Sequence, residues 1–91
     1  MASKSIITEY MDYCLLCGKP TVDTHHLVYG RSERKLADAD GLTIPVCREC
    51  HDLIHGDARI GNLSRVLGQI AWEGKYGSRE DFRKRYGKSY T

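Results

Sequence analysis

No apolar run in this chain of 91 residues approaches the ~20 residues that a membrane helix needs, so a transmembrane segment is excluded. The opening stretch MASKSIITEYMDY has one lysine and only a two-residue apolar step before polar residues return, and so lacks the apolar core of a secretory signal. A cytoplasmic location is therefore expected. Internal repeats, low-complexity tracts and linkers are also missing, which leaves a single domain over residues 1–91. Net charge is close to balanced at +2, so the chain as a whole is not a polycation. Its cations are nonetheless unevenly placed. Residues 75–91 carry six Lys or Arg against two acids, and residues 31–35 carry three against one. That pattern suits a solvated basic face and also permits a phosphate-bearing partner.

What the chain does have is four cysteines, arranged as two CxxC pairs, Cys14/Cys17 and Cys47/Cys50. Disulfides rarely persist in a reducing compartment, and a domain this small has limited surface to bury. Four thiolates are instead the donor set of a closed tetrahedral zinc site. CLLCGKP reads as a knuckle, because Gly18 and Pro20 turn the backbone tightly after the first pair. The 29 residues between the pairs would be locked together by such an ion. Two other readings of these cysteines fail. CRECH matches the attachment signature of c-type haem but leaves the first pair unexplained. A two-Cys, two-His finger does not fit the short gap from Cys17 to His25 and strands the second pair.

Residues 5–13 give only a weak signal, for a short helix or an extended lead-in. Thr21 to Val28 is rich in β-branched residues and ends at Tyr29-Gly30, so a strand with a break after it is expected. Residues 30–41 read as a polar, Gly-bounded connection to a second short strand, Leu42 to Val46, in which Pro45 argues for a sheet edge. From Arg48 to His55 the pattern turns helical, with Gly56 closing the helix. Ile60, Leu63, Val66, Leu67 and Ile70 then recur at three and four residues, predicting an amphipathic helix to about Trp72 whose apolar stripe packs on the metal-bound core. Ser78 before Arg-Glu-Asp has the form of a helix N-cap with acids in the first turn. Phe82 and Tyr86 lie four apart on that last helix, and Gly87 ends it.

The four histidines, His25, His26, His51 and His55, are all that the chain contains, and none is scattered. Two are adjacent on the first strand. Two are four apart, on one face of the helix that follows the second CxxC. If the cysteine site pins the start of that helix to the knuckle, three imidazoles can meet around a second ion, leaving the fourth free.

THH on a β-element followed by CRECHDLIH opening a helix resembles the HNH, or ββα-metal (His-Me finger), endonucleases, in the variety stapled by two CxxC pairs. The run HHLVYGRSERKLADADGLTIPVCRECH and the tail GSREDFRKRYGKSY resemble small HNH proteins of phages and prophages, so that the likeness extends from about Cys14 onward. It implies an α+β fold with a ββα-metal core over about 14–56 and a C-terminal helical extension over about 58–91. It also implies metal-dependent hydrolysis of DNA phosphodiester bonds, in a bacterial host or phage-infected cell. Carried onto this chain, His25 is a ligand of the catalytic metal, His26 the general base, and His51 and His55 the ligands on the helix. The ion would be Mg²⁺, Mn²⁺, Ni²⁺ or Zn²⁺, distinct from the zinc held by Cys14, Cys17, Cys47 and Cys50. A neutral imidazole near pH 7 can take a proton from an attacking water, and an imidazole already bound to a metal cannot.

The sequence departs from that pattern at one place. The middle Asn of HNH belongs on the second strand, where this chain has Gly41-Leu42-Thr43. Asp38, Asp40 and Asn62 are the available stand-ins, and spacing selects none of them. Asp23 is a candidate for orienting an imidazole through a carboxylate hydrogen bond. Arg31, Arg34 and Lys35 are candidate contacts to substrate phosphates. Tyr76, Tyr86 and Tyr90 in the basic tail could follow a nucleic-acid backbone, with Tyr86 equally suited to a core. DNA is the expected partner, with RNA as an alternative substrate, and the chain would act as a monomer or homodimer. The alternative from a different class is a non-catalytic, zinc-stabilised module that binds DNA or protein.

Overall fold

Two strands of four residues carry the sheet, and four helices surround it. The computed structural model describes residues 5–21 and 23–91. The elements run β1 (Asp23–His26), α1 (Glu33–Asp40), β2 (Thr43–Val46), α2 (Arg48–Gly56), α3 (Ala58–Lys75) and α4 (Arg79–Tyr86), an α+β arrangement. Among the described residues, no helix is long and apolar enough to cross a membrane.

β1 and β2 pair antiparallel, with His25 opposite Ile44 and His26 opposite Thr43. The strand alternation sends adjacent histidines to opposite faces. His25 is buried, on the same face as Asp23, whereas His26 is half-buried on the other. The first strand is thus shorter than the expected Thr21–Val28. Val22 lies outside the described residues, and Leu27 and Val28 leave the ladder to fill the core. Residues 5–13 form no helix. They are an irregular, repeatedly bent lead-in, tied down where the Ile6 amide donates to the Gly41 carbonyl and the Ser5 hydroxyl to the Thr43 carbonyl.

The knuckle is built as its glycine suggests. Gly18 takes φ 80°, its amide donates to the Cys14 carbonyl, and the Cys14 amide donates to the Lys19 carbonyl, so the backbone doubles back under the first cysteine pair. The Leu15 amide reaches the Pro45 carbonyl at 2.9 Å, which fixes the knuckle to β2.

Residues 30–41 are not a connection but mostly a helix. In α1, only Leu36 and Ala37 offer apolar atoms to the core, too few for a periodic signal, and Gly41 ends the helix in the left-handed conformation at φ 75°. The end of α1 is buried through a charge. Asp40 accepts from Trp72 Nε1 (2.9 Å), from Arg85 Nε and Nη2 (2.7 Å each) and from the Tyr86 hydroxyl (2.8 Å). This bidentate, charge-assisted clamp joins α1 to α3 and α4. Two of the tail tyrosines meet Asp40 as well. Tyr86 is core, stacked on Phe82 at 4.4 Å, and Tyr76 donates to the Asp40 carbonyl. α4 begins with a full capping box between Ser78 and Asp81 and ends on left-handed Gly87.

α2 ends at Gly56 as expected, although that glycine does not adopt the left-handed cap. Asp57 both terminates α2 and caps α3, its carboxylate accepting from the amides of Arg59 and Ile60.

The packing of α3 reverses the expectation. Of its apolar stripe Ile60 packs against the core, but Leu63, Leu67 and Ile70 are 54%, 50% and 57% exposed. The buried side of α3 is Gly61, Ser64, Gly68, Gln69 and Trp72. Small residues let the helix backbone come close to the Leu27-Val28-Tyr29 segment, and a larger face would hold it away. A Cβ on Gly68 would lie 2.8 Å from Val28 Cγ2 and 3.0 Å from Leu27 Cβ. Gly74, near the exposed end of the same helix, has nothing within 4 Å of a Cβ. Two substitutions of the same kind should therefore act with opposite signs. Gly68→Ala forces overpacking that costs roughly 1–3 kcal/mol and outweighs a helix-propensity gain of at most about 1 kcal/mol. Gly74→Ala keeps only the gain. Urea midpoints should fall for the first and rise for the second, and two shifts of the same sign would refute the close approach.

Candidate metal centres

Two groups of side chains gather where the knuckle, β1 and α2 meet. In the first, one sulfur from each of Cys14, Cys17, Cys47 and Cys50 lies within 4.8 Å of the others, and all four are free thiols. Cys17 Sγ and Cys47 Sγ are 3.5 Å apart, close to the edge of a tetrahedron with about 2.3 Å metal–sulfur bonds. Cys47 is also the N-cap of α2, its sulfur accepting from the Cys50 amide at 3.5 Å.

Without a cation such a group strains against its own charge. Burial disfavours a thiolate at Cys14, yet amide hydrogen bonds from Cys47, Cys17 and Leu16 outweigh it and bring that thiol down to about 6. Cys50 is pushed up to about 12, first by its hydrogen bond to the Cys47 sulfur, then by burial and the remaining sulfurs. Neighbouring thiols thus oppose each other's ionisation, and a divalent cation removes that opposition. The cluster fits a metal such as zinc.

The second group is His25, His51 and His55, each offering one ring nitrogen within 4.8 Å of the others. His51 Nδ1 faces Asp23 Oδ2 at 3.1 Å, and the same oxygen accepts from Arg48 Nε at 3.0 Å. The His51 hydrogen bond is the first cause holding the Asp23 carboxyl below its usual range. The imidazole beside Asp23 is thus that of His51. With His51 donating from Nδ1, its Nε2 is left bare, 3.1 Å from His55 Nε2. That spacing matches neighbouring ligands of an ion bound at about 2.0–2.1 Å.

His25 completes the group. Burial, then the nearby His51 and His55, lower it to about 3, so it is a neutral donor at pH 7. Among the described residues, its Nδ1 is the one buried side-chain nitrogen or oxygen that has no hydrogen-bond partner. An unpartnered buried nitrogen, on a ring whose centre lies 5.3 Å from those of His51 and His55, suits a cation as its missing partner. His55 is lowered in the same direction, chiefly by burial.

His26 stands outside the ligand group. Its Nε2 faces Asp38 Oδ1 on α1 at 2.9 Å. The side chains of His25, His26, His51 and His55 border one cleft of about 170 Å³ together with Thr24, Tyr29 and Arg34. A neighbouring open cleft of about 480 Å³ is lined by His26, Arg31, Arg34, Lys35 and Asp38. All three cations singled out in the sequence are therefore at the mouth of the histidine site, and Arg34 borders both clefts.

Of the three stand-ins for the absent Asn, Asp38 is the one beside an imidazole. Asp40 belongs to the buried clamp, and Asn62 lies on the exposed side of α3. Ser64 was not anticipated at all. It sits on α3, 2.8 Å from His25 Nε2, and donates to the Leu27 carbonyl at 2.8 Å. Its only trace in the sequence is the small-residue spacing Gly61, Ser64, Gly68, read over in favour of the larger apolar residues between them.

A family model described as a protein of unknown function (DUF968) matches residues 8–88. An uncharacterized protein of Escherichia coli (strain K12), YdfU, is 33% identical over 66 residues, which cover 71% of this chain and 16% of the relative. The chain thus spans a small part of the relative's length. No solved structure matches.

A structural ion at the cysteines contributes directly to folding in a domain of this size. Cys14→Ser should yield a zinc-poor protein that melts well below the wild type, measured by metal content and thermal unfolding side by side. A mutant with unchanged melting and unchanged zinc would exclude the cysteine site.

Proposed function

The chain belongs to the DUF968 family, whose function is unknown, and from its site geometry we propose that it is an HNH-like, ββα-metal endonuclease that nicks or cleaves DNA in phage DNA metabolism. One observation carries the reading. A three-imidazole cluster, a fourth imidazole held by a carboxylate, and an arginine share a single cleft. Two kinds of histidine are what phosphodiester hydrolysis with a bound ion requires.

His26 is the base in this reading. Donation from Nε2–H to Asp38 fixes the ring and leaves the Nδ1 lone pair free to take a proton from water as that water attacks phosphorus and the bond to the 3′ oxygen breaks. Asp38 thereby does what the missing Asn does in the family that the sequence resembles: it holds the base. In this reading Arg34, which borders both clefts, binds the scissile phosphate and Arg31 and Lys35 bind flanking phosphates, so binding rests on the backbone and sequence preference is limited. When bound at His25, His51 and His55, a divalent ion supplies polarisation of the phosphate and neutralises charge on the departing oxygen. The cysteine cluster, as zinc site, holds the scaffold and takes no part in the reaction.

Supercoiled plasmid incubated with Mg²⁺, Mn²⁺, Ni²⁺ or Zn²⁺ tests this. The wild type should convert it to nicked or linear forms with at least one ion, and His26→Ala should lower the rate by roughly 10²–10⁴-fold. Asp38→Ala should lower it by a smaller factor, since the base remains but is no longer held. A wild type inert with every ion, or a His26→Ala protein as active as wild type, would overturn the assignment.

A second reading is a non-catalytic zinc module that binds DNA or protein. It is favoured by the 16% of the E. coli relative that the match covers, as a module of a longer protein would. Metal content separates the two. Two ions per chain, one of them lost in His51→Ala, support the nuclease, whereas one zinc per chain, retained when all four histidines are replaced, supports the module.

A further inference from the structure

We infer that Ser64 of α3 is a positioning residue of the histidine site, setting the tautomer of His25 so that Nδ1 is the nitrogen presented to the ion. The inference rests on the reading of His25, His51 and His55 as an ion site, and not on what that site hydrolyses. It follows from counting one proton. A serine hydroxyl has a single hydrogen, and the Leu27 carbonyl, 2.8 Å away, can only accept. The Ser64 proton is therefore spent on Leu27, and the contact of 2.8 Å to His25 Nε2 must run the other way, from Nε2–H to the Ser64 oxygen. An imidazole that donates from Nε2 keeps its lone pair on Nδ1, the nitrogen that is buried with no other partner.

The alternative tautomer is doubly unfavourable. It would bury an Nδ1–H with no acceptor and set a bare Nε2 against a hydroxyl whose proton is already committed. Ser64 is 6% exposed and His25 1%, so water is not at hand to compensate either group. Position matters as much as chemistry here. Gly61 and Gly68 flank Ser64 on the same side of α3, and a Cβ at Gly61 would lie 2.3 Å from the Tyr29 hydroxyl, so only a small-faced helix brings a hydroxyl this close to the strand. α3, which lies outside the segment carrying the ligands, is in this way part of the site. Hydrogen-bond partners of this kind typically change metal affinity by about 10–100-fold when removed.

The test uses the full chain with its cysteine zinc in place and needs no DNA. Long-range ¹H–¹⁵N NMR of the imidazoles should show His25 in wild type as the Nε2–H tautomer before any ion is added. Titration with Ni²⁺ should then show Ser64→Ala binding about 10–100-fold more weakly at the histidine site, with His25 in a mixture of tautomers, and Ser64→Thr, which keeps the hydroxyl, recovering the wild-type tautomer. A merely structural role for Ser64 would weaken folding without moving the tautomer. His25 found as Nδ1–H in wild type, or a folded Ser64→Ala protein with wild-type tautomer and Ni²⁺ affinity, overturns the inference. Should Ser64→Ala not fold, the wild-type spectrum and Ser64→Thr still decide. Failure of plasmid cleavage leaves these readouts untouched, so the two ideas can fail separately.

Discussion

The placement of α2 is set at one atom, the Sγ of Cys47. That sulfur caps the helix by accepting the Cys50 amide and lies 3.5 Å from the Cys17 sulfur on the knuckle, so the point where the helix starts is also the point where it meets the knuckle. Everything on α2 is then fixed by helix geometry. His51 comes one turn in and His55 one turn beyond it, on the same face, and that face meets β1. A shift of the helix start by one residue would rotate both imidazoles by about 100° and leave His25 facing carbon. The cysteine cluster is in this sense a registration device for the histidine cluster, and the tight sequence of CRECHDLIH reflects the requirement that one short helix serve both.

β1 makes the corresponding division on its side. With a period of two, the adjacent histidines cannot share a face, so His25 turns to α2 and the buried cluster while His26 turns to α1 and Asp38. The dipeptide is the shortest way to place two imidazoles at one cleft in different environments. One is buried and coupled to other imidazoles. The other is hydrogen-bonded to a carboxylate at the cleft mouth, where Arg34 also lies.

Much of this was legible in the sequence. The two CxxC pairs, the grouping of all four histidines, the helix from Arg48 and the Ser78 cap each carry a local signal, because spacing alone fixes which side chains share a turn or a face. What could not be read depends on packing between distant segments. α1 leaves no periodic signal because a helix with only Leu36 and Ala37 inward has no hydrophobic period, and its main anchor is the charge on Asp40. Hydrophobic periodicity points to the wrong face of α3 because it assumes that the largest apolar side chains are the buried ones. Here the shortest distance to the Leu27-Val28 segment wins, and glycine and serine are the residues that allow it. Ser64 and Asp38, the partners of the two histidines on β1, lie on these two helices.

That coincidence has a structural cause. Asp38 and Asp40 are two residues apart on α1, and a helix advances about 100° per residue, so their side chains diverge by about 200°. Asp40 goes inward to Arg85, Trp72 and Tyr86, and Asp38 is thereby directed outward to His26. The C-terminal helices do not touch the cleft, yet α4 supplies the guanidinium that clamps the end of α1, and α3 supplies the hydroxyl that meets His25. Each histidine of the THH pair is thus held by a polar group whose own position is set by a packed helix. The segment after Gly56 is accordingly not an appendage to the half that carries the cysteine and histidine clusters: without α3 and α4, His25 would lose its hydrogen-bond acceptor and Asp38 the clamp that aims it.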